Sequence, residues 1–128
     1  MTSIHCSFTI EEYQHVHDAA ALRLGKIRKD KSPARHMAGY AEIKSLKSLM
    51  ARIEIDVRFR GDKEESYPNL LTDTEAGCYI NLLSDLEKRQ LKRLNATKLP
   101  KRREALEKEI ASVSALAERL KQGLDNAS

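Results

Sequence analysis

The sequence predicts a mainly α-helical single domain over residues 1–128, a four-helix up-and-down bundle made of two helical hairpins. Three observations carry that prediction. Apolar residues recur at spacings of three and four over long stretches, the period at which a helix returns to one face. Two Thr-x-x-Glu boxes and two prolines mark helix starts. Charged residues reach 33% against 5% aromatic, a balance that suits solvated helix faces and aliphatic seams better than a sandwich or barrel. Apolar residues still make up 41% and are periodic, so the chain can build a core instead of staying disordered.

The first helix is predicted to start at Thr9, where Thr9 and Glu12 form a capping box that satisfies free backbone N–H groups. Ile10, Tyr13, His17, Ala20, Leu24 and Ile27 follow as one stripe, and the polar run at residues 28–31 ends it. The second starts at Ser32-Pro33, a capping hydroxyl before a proline preset for the first turn. Its stripe is Ile43, Leu46, Met50 and Ile53. From Arg52 to Arg60 the pattern turns to strict alternation, with Ile53, Ile55, Val57 and Phe59 set against charged neighbours. On a helix Ile55 and Phe59 would leave the stripe, whereas on a strand all four share a face, so a strand is expected. Ile4, Cys6 and Phe8 alternate in the same way. Residues 3–8 and 52–60 are therefore expected to pair as a small two-stranded ribbon packed on the helices.

Residues 61–68 read as a polar loop ending in the turn signal Tyr67-Pro68. A second capping box, Thr72 with Glu75, opens the third helix, which carries Ala76, Tyr79, Ile80, Leu83, Leu86, Leu91 and Leu94. Leu82 and Leu91 fall off the main line of that helix, which predicts either a central position or cover by another chain. Pro100 marks the fourth start. Leu106, Ile110, Val113, Ala117, Leu120 and Leu124 then step 4-3-4-3-4, a period that favours left-handed packing of helix on helix. The short connection at residues 95–99 folds the last two helices back on each other.

The net charge of +4 permits an anionic partner without demanding one, but its distribution is uneven. Residues 23–35 carry +5 and residues 88–103 carry +8, while residues 61–87 carry −6. In an up-and-down bundle both basic stretches fall at one end. The predicted anion- or partner-binding residues are Arg28, Lys29, Lys31, Arg35, Arg93, Lys98, Lys101, Arg102 and Arg103. Helix C-termini favour cations, which accounts for Arg28, Lys29 and Arg93 without a ligand. Arg35, Lys101, Arg102 and Arg103 sit in first turns, where that argument fails. Only Tyr40 lies near, so stacking on single-stranded bases lacks its usual aromatic platform.

Sites of chemistry are thinly signalled. Glu12 and His15 make one E-x-x-H, but a di-iron bundle needs two such motifs, so neither metal nor cofactor is expected. Cys78 lies early in the third helix, where the dipole could lower its pKa, yet no base is close in sequence. It reads as a small buried hydrophobe. Gly25-Lys26 lacks the upstream glycine and following hydroxyl of a phosphate loop. No catalytic residue is proposed, and an enzyme is not expected. Cysteine usage and the absence of a charged, apolar leader pattern in residues 1–10 point to a reducing cytoplasm and no membrane.

The expected function is a non-enzymatic interaction or regulatory protein. It would bind another macromolecule, a protein in the first instance, through a helical face or the basic pole, and self-associate as a dimer. Nucleic acid held by its backbone phosphates, or a small anionic ligand, are the alternatives.

Overall fold

The structure is a computed structural model that describes residues 3–29, 33–60 and 67–127, with side chains over residues 4–29, 41–59 and 70–126. Strand β1 (Ser3–Phe8) leads into helix α1 (Ile10–Lys29), and α2 (Pro33–Arg60) follows. Strand β2 (Tyr67–Thr72) then leads into α3 (Asp73–Ala96), and α4 (Pro100–Ala127) follows. The predicted fold class holds: four helices pack on one another beside a small antiparallel sheet.

Both capping boxes form. Thr9 N–H donates to Glu12 Oε1 at 3.0 Å, and Glu12 N–H donates to Thr9 Oγ1 at 3.2 Å. At α3, Thr72 N–H and Glu75 N–H make the same reciprocal pair, each at 3.1 Å. Each box ends a strand and starts a helix, so α1 and α3 both leave the ribbon and run side by side. α2 and α4 return antiparallel to them: Arg23 meets Glu42 and His17 meets Glu54, while His15 meets Ser112 and Glu12 meets Arg119.

The ribbon that forms is not the expected pairing of residues 3–8 with 52–60. Residues 52–60 belong to α2, and the partner of β1 is Tyr67–Thr72, in the register Ser3↔Thr72 to Phe8↔Tyr67. Leu46, Met50, Ile53 and Val57 continue the 4-3-4 helical stripe through the alternating segment, with Leu46 and Ile53 buried and Met50 and Val57 packed against the core. Helix formation therefore sacrifices only Ile55 and Phe59, which lie exposed. Pro68, half of the expected turn signal, sits inside β2. In a two-stranded ribbon each strand has a free edge, where a residue without an N–H is tolerated. Residues 61–66 of the expected loop lie outside the described residues.

Phe8 is the junction of the molecule, 1% exposed, with its ring 5.3 Å from Tyr13 in an edge-on contact and 6.4 Å from Tyr79. It joins the ribbon to α1 and α3. The seam of α4 closes the other side with Val113, Leu116, Ala117 and Leu120 buried. Opposite it, Ile4 presses on Gly123 so closely that a Cβ there would stand 2.8 Å from the Ile4 methyl. Arg119 locks the same corner, bonding Glu12 Oε2 at 2.6 Å and the Ser7 carbonyl at 3.1 Å. Leu82, one of the off-line positions of α3, is buried within this chain, while Leu91 is exposed. α3 is thus central on its Leu82 side, one of the two outcomes its width allowed.

A candidate binding cleft between the ends of α1 and α3

α1 and α3 leave the ribbon from opposite ends, Phe8 pairing with Tyr67 and Thr72 with Ser3, but they run side by side, and their C-terminal turns arrive together at the far end. Between them lies a cleft of about 420 Å³. Ala21, Leu22, Gly25, Lys26 and Lys29 form one wall, and Leu86, Arg89, Gln90 and Arg93 form the other. Asp18 and Glu109 complete the lining, so four cations stand against two carboxylates.

The four cations of the cleft are not consumed by neighbouring carboxylates among the described residues. Among the described residues, Lys26, Lys29, Arg89 and Arg93 have no ion-pair partner. Elsewhere positive charge is used structurally. Arg23 forks onto Glu42 at 2.8 and 3.3 Å, an interaction that holds its guanidinium more firmly charged than usual. Arg52 donates to the Tyr79 hydroxyl at 3.1 Å, and burial pushes the ionisation of that phenol upward. A helix end presents only about half a negative charge. The last turn of α1 alone carries Lys26, Arg28 and Lys29, more than dipole matching requires.

The residues predicted from sequence divide into groups. Lys29 and Arg93 line the cleft. Arg28, Lys98, Lys101 and Arg102 are exposed but do not line it. Lys31 and the side chain of Arg35 lie outside the described residues. Arg103 is engaged within the chain, donating to the Leu94 carbonyl at 2.8 Å and to the Thr97 carbonyl at 3.0 Å. With Thr97 Oγ1 donating to the Arg93 carbonyl at 2.7 Å, it satisfies the free carbonyls at the end of α3. Its unfavourable first-turn position is explained by the preceding helix.

Lys26, Arg89, Gly25 and Gln90 line the cleft without belonging to the predicted set. Gln90 does carry a signal in the sequence, since it follows Leu83 and Leu86 at helical spacing and puts an amide on an apolar stripe. It is 5% exposed, and its Oε1 has no hydrogen-bond partner among the described residues. Gly25 opens the α1 wall: apart from the local helix backbone, no described heavy atom lies within 4 Å of the place a Cβ would take.

The other candidates are engaged or unactivated. Glu12 is held by Thr9 and Arg119, and His15 Nε2 lies 2.9 Å from Ser112 Oγ. Cys78 is exposed, contrary to the buried position expected of it. Its thiol pKa is raised, through partial desolvation first and the Glu42 carboxylate second, the reverse of the lowering a helix start could bring. No helix among the described residues is long and apolar enough to cross a membrane. No family model matches the chain, and neither a curated protein nor a solved structure shows significant similarity to it.

Proposed function

We propose that this chain is a non-enzymatic interaction protein that docks a partner protein through the cleft between the ends of α1 and α3. The observation that carries this reading is the set of four cations facing one cleft without ion-pair partners among the described residues. Unpaired cations on opposite walls create a local positive potential that favours an acidic surface. Arg28, Lys98, Lys101 and Arg102, exposed around the same helix ends, extend the charge beyond the cleft.

A protein partner is favoured over single-stranded nucleic acid because no aromatic ring lines the cleft for bases to stack on. The deciding experiment is affinity capture from the native host with the wild-type chain and the double charge reversal Lys29→Glu/Arg93→Glu. Both positions are exposed, so the variant is expected to fold. Loss of a captured protein in the variant is the expected result. Capture that survives the reversal overturns the reading, and recovery of nucleic acid in its place transfers the cleft to that ligand.

A further inference from the structure

Gln90 is the one lining residue whose burial and chemistry conflict. An amide oxygen buried without a partner forfeits its hydration with nothing in return, and the described residues supply no donor. Turning the amide over only exchanges an unsatisfied acceptor for an unsatisfied donor. As the amide stands, what completes this position is a donor, beneath four cations. Phosphate and carboxylate groups carry acceptors alone, so either meets Gln90 only once the amide is turned over, whereas a peptide N–H meets Oε1 as it stands. A peptide unit offers N–H and C=O at once. Helical peptide units are already bonded internally, so the complement is an extended backbone. Space for one exists where Gly25 lacks a side chain and, apart from the local helix backbone, no described heavy atom stands within 4 Å of its would-be Cβ.

We propose that the cleft receives an extended acidic segment of the partner protein. One peptide group of the segment bonds the Gln90 amide, its backbone passes over Gly25, and its carboxylates pair with Lys26, Lys29, Arg89 and Arg93. Asp18 and Glu109 exclude acidic residues from the positions facing them, so the segment is neutral or basic there. This inference rests on the docking reading and adds the chemistry of what docks.

The test uses a fluorescein-labelled glutamate-rich peptide, its glutamine counterpart and a duplex oligonucleotide, each titrated against the full chain at low salt. Binding of the glutamate peptide is expected to shift the side-chain NH2 resonances of Gln90 in an amide correlation spectrum. Gln90→Leu, of similar volume, is expected to weaken it by about three- to tenfold, the worth of one hydrogen bond. Gly25→Leu, which apart from the local helix backbone meets no described heavy atom within 4 Å at its Cβ, is expected to weaken it by about tenfold or more by filling the cleft. Unchanged peptide affinity in both variants, equal affinity for the glutamine peptide, or tighter binding of the duplex overturns the proposal. Should charge reversal release the captured host protein while Gln90→Leu and Gly25→Leu retain it, docking stands and the extended segment in the cleft falls. Should charge reversal leave it bound, the docking reading itself falls.

Discussion

α2 and α4 are both 28 residues long and both begin at a proline, yet they are integrated to different depths. α4 packs on α3, α1 and β1, and its seam residues Val113, Leu116 and Leu120 are wholly buried. Among the described residues the backbone of α2 approaches only α1. Leu46 and Ile53 are its buried anchors, and Phe59 stands 83% exposed. Length and the starting proline are shared, so neither explains the difference. What differs is the phase of the apolar positions. α4 keeps its apolar residues on one seam, whereas α2 divides them between a stripe at 46, 50, 53 and 57 and an off-stripe pair at 55 and 59. A helix is drawn into a core only as far as its apolar residues agree on a direction.

Truncations along the two helices put that contrast to the test. Leu116→Ala in α4 is expected to cost about 4 kcal/mol in urea unfolding, because the site is enclosed by several elements and cannot collapse around the lost atoms. Leu46→Ala in α2 is expected to cost about 2 kcal/mol, since a helix held on one side can settle inward. Equal losses would erase the distinction. Gly123→Ala probes the tightest approach in the α4 seam. The added methyl must displace Ile4, and a loss of about 1–2 kcal/mol is expected despite the better helix propensity of alanine. Phe59→Ser, on the open side of α2, is expected to change stability by no more than about 0.5 kcal/mol. A loss several times larger, one that grows with protein concentration, would reveal a second copy covering that face.

The elements are legible where a local signal has one meaning. Thr9 with Glu12 and Thr72 with Glu75 announce a helix start by their own hydrogen bonds, and both boxes form. The spacing of α4 admits a single face. The stretch at 52–60 carries two periods at once, and alternation is the more regular. What decides for helix is packing against α1 and the core, where Leu46 and Ile53 are buried with Met50 and Val57 beside them, information that no local pattern contains. β2 is hidden for the complementary reason: Tyr67-Pro68-Asn69-Leu70-Leu71-Thr72 neither alternates nor favours sheet, and it becomes a strand because β1 pairs with it. At the cleft, charge can be counted from sequence but its employment cannot. Arg103 and Lys29 look alike as letters in a chain. Only the packed molecule distinguishes them, since the former binds carbonyls of the preceding helix while the latter faces open space.

The fit of Ile4 against Gly123 also sets an order of events during synthesis. Ile4 leaves the ribosome before any of the four helices, and the surface that receives it leaves after three of them. β1 finds its other neighbour, β2, only after two helices have been made. The nascent strand therefore waits with Ile4 unmatched, and the final closure joins distant parts of the chain, which is a slow kind of step. Slowing elongation over the codons of α4 would lengthen that exposed interval. Chaperones that shield short apolar strands would matter most for this chain in the same interval.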